Sequence, residues 1–332
     1  MTQLSVIGAG AWGTTVANIL ADNGHSVRLW CHNAATTDTI NTHHRHHRLP
    51  DVSLNPSIVA TTTMASCYDA DAVVLGLSSR QLQDYATVID WNAITGGVIV
   101  LAKGMMDNQH FIPDWLAARF SGPIAVLSGP NLALEIAQKK PSASVIASKN
   151  ASFMTQFQSL ISNHYFRAYT SSDVQGVTGG GVFKNVFAIA AGCLDALQLG
   201  ENAKAALITR GLVELTVLVT HFGGRPETAQ GLSGLGDLLA TCSSPQSRNW
   251  QLGSRMILHP NDVMADTTRG ETEGIRTIQF LQDSSIQNSR HLPIISSIQR
   301  LFFDQSASPH DIIQELMERG LKSEFDHPAS FG

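Results

Sequence analysis

The stretch VIGAGAWG, Val6 to Gly13, constrains this chain more than any other eight residues. An apolar β-branched run, LSVI at 4–7, leads straight into Gly8, Gly10 and Gly13. A helical pattern with Val16, Ile19 and Leu20 on one side follows, and it stops at Gly24. In this G-x-G-x-x-G arrangement the first glycine permits the tight turn, and the second lets backbone approach a pyrophosphate. The third allows close helix–strand packing. The N-terminus of the following helix then presents free N–H groups to the phosphates. Three glycines alone also describe an ordinary turn. Placed between a strand and a helix, they point to dinucleotide binding.

The segments that follow supply the α/β setting. Candidate strands are LSVI (4–7), SVRLW (26–30), SIVAT (57–61), AVVLGL (72–77), VIVLAK (98–103), IAVLSG (124–129), SASVIAS (142–148) and YFRAYT (165–170), with helical patterns between several of them. Strands alternating with helices imply a mostly parallel, doubly wound Rossmann-type sheet, expected over residues 1–172. Beyond that the strand signal disappears, and 173–332 is expected to be an all-α domain. Residues 173–222 read as two long helices divided at LGEN, with Gly200 as stop and Asn202 as the new cap. Further on, Ile294, Ile298, Leu301 and Phe302 share a face. Ser308-Pro309 then opens a last helix that stops near Gly320.

Charge and cysteine usage narrow the class. Only 15% of residues are charged, the net charge is −5, and no block of like charge occurs. Neither nucleic acid nor an anionic membrane is therefore an expected partner. So few charges in 332 residues imply extensive buried surface, including room for a subunit interface. Cys31, Cys67, Cys193 and Cys242 show neither metal nor disulfide spacing, which fits a reducing, cytoplasmic setting. No signal peptide is expected, because Leu4 already begins a strand, and no membrane span, because Lys184, Asn185 and Asp195 interrupt the longest apolar stretch. The cluster NTHHRHHRLP holds His43, His44, His46 and His47 beside two arginines, with no nearby acidic residue before Asp51. Cationic neighbours disfavour a divalent ion, so the segment reads as a solvated loop and no metal site is expected.

One lysine, Lys184, lies with Asn185 in the apolar run GGGVFKNVFAIAAG. A buried ammonium is expensive unless it finds partners or does chemistry. Lys103 and Gly104 lie past one strand end and Gly129 and Pro130 past the next, where open α/β sheets bind ligands. Downstream, GLSGLGDLLATCSSPQSRNWQLG holds a Gly-rich turn into Asp237, then Ser247-Arg248-Asn249 with Ser247 as N-cap. A capped helix start plus an arginine suits a phosphate. The second strand ends at Trp30, Cys31, His32 and Asn33 without the carboxylate that would hold NAD ribose hydroxyls. NADPH is therefore favoured over NADH, with His32 as a candidate phosphate contact.

Taken in order, GAGAWG, LAKG, LSGPNLALE, FKNVFAIAAG, GENAKAALITRGLVEL, GLSGLGDLLATCSS, SRN and ETEG resemble the bacterial NAD(P)-dependent glycerol-3-phosphate dehydrogenases from residue 3 to about residue 320. The resemblance implies reversible hydride transfer between NAD(P)H and dihydroxyacetone phosphate, giving sn-glycerol 3-phosphate for glycerophospholipid synthesis, in a homodimer. It makes Lys184 the proton donor and acceptor. It places Lys103, Gly129, Asp237, Ser247, Arg248 and Asn249 at the substrate, and Ala11, Trp12, His32, Lys103, Ala133, Arg248 and Glu273 at the cofactor. The chain departs from the family pattern with Asn131-Leu132 for Ser-Phe, His32 where arginine is common, the histidine segment for an aromatic before Leu-Pro, and an unmatched tail, 325–332. Two other classes fit part of the pattern: a reductase of an unphosphorylated keto acid, which would not need Ser247-Arg248-Asn249, and a nucleotide sensor, which would need no acid.

Overall fold

The computed structural model describes residues 2–106, 110–267, 273–283, 286, 292–304, 306–321 and 323–324. All eight expected strands form: β1 Gln3–Ile7, β2 Ser26–Trp30, β3 Ile58–Thr61, β4 Ala72–Leu75, β5 Gly97–Val100, β6 Ile124–Ser128, β7 Ser142–Ser148 and β8 Phe166–Ser171. They make one sheet in the order β3-β2-β1-β4-β5-β6-β7-β8. Pairing is parallel from β3 to β6, antiparallel between β6 and β7, and parallel again between β7 and β8. Helices α1 Ala11–Asp22, α2 Ala34–His43, α3 Ser79–Asp84, α4 Ile112–Ala117, α5 Ala133–Ala137 and α6 Ala151–Ile161 lie between the strands.

The pleat explains why central strands read as continuous apolar runs. Val6, Val74 and Ile99 point into one core, with Leu20, Phe157 and Phe166. Their neighbours Ile7, Val73 and Val98 point into the opposite core, with Trp91 and Trp115. A sheet covered on both faces has no polar side to alternate with. Two strands end sooner than the sequence suggests. β4 stops at Leu75 because Gly76 crosses against the glycine loop, where an added Cβ would lie 2.7 Å from the Gly8 carbonyl oxygen. β5 stops at Val100, which leaves Lys103 three residues beyond the strand.

From Val174 onward the elements are helical: α7 Val174–Ala196, α8 Gly200–His221, α9 Pro226–Ala229, α10 Asp237–Cys242, α11 Arg248–Leu258, α12 Pro260–Thr267, α13 Glu273–Asp283, α14 Pro293–Phe303 and α15 Pro309–Met317. Asp173 fastens the start of α7. One oxygen caps Gly176 N at 2.9 Å, and the other accepts from Arg225 N at 2.9 Å and the Thr228 hydroxyl at 2.6 Å. α7 is long and apolar enough to cross a membrane by composition, but its most apolar window is 94% buried inside the fold. It forms the axis of a third core, with Phe183, Phe187, Leu215, Leu218, Ile295 and Phe302.

α7 and α11 meet backbone to backbone. A Cβ on Gly192 would lie 1.9 Å from the Trp250 carbonyl oxygen, and one on Gly253 would lie 1.9 Å from that of Ile189. The expected division between the two long helices shifts slightly. α7 closes through the left-handed Gln198, and α8 already begins at Gly200, so Asn202 lies inside its first turn and is not the cap. Ser308 does cap the last helix, accepting from Asp311 N. The tail 325–332 lies outside the described residues.

Candidate active site

The glycine loop has the shape that a dinucleotide requires. Gly8 adopts φ +117, a conformation side chains resist, and a Cβ on Gly13 would sit 2.1 Å from the Gly8 carbonyl oxygen. No side chain caps α1 at Gly10, so the N–H groups of its first turn, Ala11 and Trp12 among them, keep their hydrogen-bonding capacity for an anion. Ala133 is drawn to this loop: its carbonyl accepts from Thr15 of α1 at 3.2 Å. Trp12 packs on the sheet core, and its indole N–H is buried with no protein partner. His32 lies exposed in the bend after β2, and Asn33 caps α2 with no carboxylate alongside. These features fit a nicotinamide dinucleotide.

The histidine segment differs from the solvated loop expected. His43 ends α2, and His44 closes that helix in the left-handed conformation at φ +52. His46 is only 3% exposed, stacks on His47 at 4.6 Å, and accepts from Arg48 N at 3.1 Å through Nδ1. Burial pushes its imidazole down to about 4, helped by His47 and Arg48, while the Ala9 backbone of the glycine loop works the other way. An uncharged, buried ring backs the loop. Alternation of polar letters hid it, because nothing in the sequence separates one histidine of the cluster from the rest.

Across the sheet's C-terminal edge, the helical half supplies the buried charges. A π-helical turn, Leu232–Gly236, leads into Asp237, the first residue of α10. Irregular turns of this kind recur at functional sites. Asp237 is 2% exposed. Its Oδ1 accepts from Lys184 Nζ at 2.9 Å and its Oδ2 from Lys103 Nζ at 2.6 Å. Lys184 also donates to the Thr241 hydroxyl at 2.5 Å, and Lys103 to the Gly129 carbonyl at 2.8 Å. Burial works to raise the Asp237 carboxyl, but the two ammonium groups outweigh it and hold it below the usual range. Burial pulls Lys103 down to about 8, with Lys184 adding to the effect and Asp237 opposing it.

A second chain of contacts joins the proposed phosphate site to this cluster. Ser247 caps α11 by accepting from Trp250 N at 3.2 Å. Asn249 Nδ2 donates to Asn185 Oδ1 at 2.8 Å, and Asn185 Nδ2 in turn donates to the Lys103 carbonyl at 3.3 Å. Arg248 is exposed at the first helical position, with its guanidinium available to an anion. The fold thus brings Lys103, Gly129, Lys184, Asp237 and Asn249 together, with Ser247 and Arg248 at the adjoining helix start. Glu273 also faces the sheet edge, where it is hydrogen-bonded to Ser79. Sequence reading missed Thr241, although its i+4 spacing from Asp237 puts both on one helix face. It also left Ser79 and Arg276 unmentioned, which only the fold brings near.

Comparison with known proteins agrees with this geometry. Residues 3–154 match the family model for the NAD-dependent glycerol-3-phosphate dehydrogenase N-terminus, and residues 173–314 the model for its C-terminus. A protein of Oceanobacillus iheyensis named glycerol-3-phosphate dehydrogenase (NAD(P)+) is 37% identical, over 98% of this chain and 96% of its own length. Its namesake from Corynebacterium urealyticum is 39% identical over 98% of this chain and all of that protein, at 100%. The crystal structure of glycerol-3-phosphate dehydrogenase from Coxiella burnetii superposes with a TM-score of 0.85 at 31% identity, covering 96% of this chain and 99% of that one. With the glycine loop, the Asp237-centred pair of lysines and both halves of the sequence in agreement, the chain belongs to the NAD-dependent glycerol-3-phosphate dehydrogenase family.

Proposed function

We propose that this chain catalyses reversible hydride transfer between NAD(P)H and dihydroxyacetone phosphate, with sn-glycerol 3-phosphate as the product. The observation that carries this is the buried Asp237 between Lys184 and Lys103, beside the helix start that bears Ser247, Arg248 and Asn249. The reduced nicotinamide, when bound, supplies the hydride. As the carbonyl carbon gains it, charge grows on oxygen, and the Lys184 ammonium delivers its proton there. In the reverse direction the neutral amine takes that proton back from the hydroxyl. Asp237 and Thr241 hold the ammonium in place. Arg248 and the α11 N-terminus receive the substrate phosphate, so binding away from the carbonyl orients the reacting carbon. An unphosphorylated keto acid would leave that site without an occupant.

The family's product supports a place in glycerophospholipid synthesis, in the cytoplasm, with a homodimer as the assembly. Without an acid at the end of β2, NADPH is the favoured cofactor. Lys103, drawn down to about 8, favours a second assignment of the proton donor. The pair is separated by variants: Lys184→Ala should keep NADPH affinity while turnover falls by about 10²–10⁴, the usual worth of a positioned acid. Lys103→Ala should chiefly raise the KM for dihydroxyacetone phosphate. Turnover surviving in Lys184→Ala but lost in Lys103→Ala would reverse the roles. Faster NADPH oxidation with an unphosphorylated keto acid would overturn the substrate.

A further inference from the structure

Glu273 opens α13 in the helical half and reaches back to the sheet half. Its Oε1 accepts the Ser79 N–H at 2.9 Å, and its Oε2 accepts the Ser79 hydroxyl at 2.6 Å. Three residues on, Arg276 donates one guanidinium N–H to the same Ser79 oxygen at 3.2 Å and another to Gln83 Oε1 at 2.8 Å. Ser79 is fully buried at the first position of α3, so its hydroxyl is at once donor to Glu273 and acceptor from Arg276. The carboxylate closes over Gly104, where an added Cβ would lie 2.0 Å from Glu273 Oε2 and 2.7 Å from Ser79 Oγ.

Each anchor of this clasp lies next to a part of the reaction site. Three residues before Ser79, Gly76 packs on the glycine loop. Gly104 follows Lys103, which is paired with Asp237. Beside Glu273, Gly274 lies against Asn249, since a Cβ there would be 2.4 Å from Asn249 Oδ1. Asn249 holds Asn185, the neighbour of Lys184. Within three residues, then, the clasp joins the loop that carries the cofactor to the helix that carries the acid.

We propose that Ser79 and Arg276, acting through Glu273, are positioning residues for hydride transfer: they set how closely the helical half brings Lys184 and the substrate to the cofactor loop, without touching the reacting atoms. This rests on the assignment of Lys184 as the acid. A displacement of about 1 Å remote from the chemistry can cost about 10²-fold in rate, so a loosened clasp appears in turnover before it appears in binding.

Two variants attack the clasp from opposite sides: Ser79→Ala removes the shared hydroxyl, and Gly104→Ala wedges a methyl against the carboxylate. The measurements are kcat, the Kd of NADPH, the isotope effect on kcat with 4-deuterated reduced cofactor, and the melting temperature. Both variants should lose about tenfold or more in kcat, as hydride transfer becomes the slow step. The isotope effect should rise, and the fold-loss in kcat should exceed any fold-rise in the Kd of NADPH, because Glu273 is itself expected at the cofactor. A contact that merely joined the halves would lower the melting temperature and leave kcat and the isotope effect at wild-type values, which overturns the proposal. If either variant fails to fold, Arg276→Lys, which keeps the charge and loses the fork, is held to the same criteria. Lys184→Ala is assayed alongside. Should it turn over normally, the acid is misassigned and the clasp proposal falls with it. Should it be inactive while Ser79→Ala matches wild type, the clasp proposal alone falls.

Discussion

Replacing Asp237 with asparagine removes the negative charge that Lys103 and the buried Lys184 share. The contacts are 2.6 Å to Lys103 and 2.9 Å to Lys184. At an effective dielectric of about 20 each attraction is about 6 kcal/mol, roughly 12 for the two. The variant does not lose that full amount, because an ammonium stripped of its counter-ion sheds its proton. At pH 7 neutralising an ordinary lysine costs about 5 kcal/mol, at 1.36 kcal/mol per pKa unit. Lys103, already down to about 8, sheds its proton more cheaply. The net destabilisation should therefore settle at about 3–5 kcal/mol, as for other broken buried pairs. The asparagine carbonyl can still accept from one lysine, but its amide then faces the other. Asp237→Asn should cut kcat for dihydroxyacetone phosphate reduction by about 10²-fold or more at pH 7.5. Initial rates at that pH, with urea midpoints for stability, test this. A variant within a factor of a few of wild type in rate, or one as stable as wild type, would refute the shared-counter-ion account.

Other expectations follow from single contacts. Glu214 is 5% exposed and accepts from Ile294 N at 2.8 Å and Ile295 N at 3.1 Å. Burial pushes its carboxyl up to about 7 against those bonds and the pull of Arg319 and Arg210. A raised acid binds its proton in the fold before it does unfolded, so stability should decline by about 3 kcal/mol from pH 4.5 to 7; Glu214→Gln should flatten that decline, and parallel urea midpoints across the range would count against it. At Gly10 a Cβ would meet only the Gly76 carbonyl, at 3.9 Å. Gly10→Ala should therefore melt near wild type yet weaken NADPH and NADH alike by about tenfold, some 1.4 kcal/mol; unchanged titrations would move the pyrophosphate elsewhere. His32→Glu should cost NADPH more affinity than NADH, and equal losses would show that His32 does not read the 2′-phosphate.

The sheet was legible because β-branched runs and glycine punctuation are local signals. The central strands β4 and β5 bury both faces, so their apolar letters are unbroken, and Gly8 and Gly13 announce the turn by the contacts they permit. Lys184 was legible for the opposite reason, as a charge where the pattern has no place for one. What stayed hidden depends on distant pairings. His46 is buried by the loop that it backs, while His43 in the same letters ends a helix. Ser79 lies 194 residues from Glu273, and no local pattern marks it. The early ends of β4 and β5 likewise come from crossing contacts, which no run of valines records.

The glycines where α7 and α11 touch, Gly192 and Gly253, bear on how the enzyme can move. With backbones in contact there, neither helix can slide or roll on the other without steric clash. Lys184 on α7 and the start of α11 must then travel as a single rigid piece during any opening that admits the triose. The compliance needed for entry and release is consequently pushed outward, to the seam between sheet and helices.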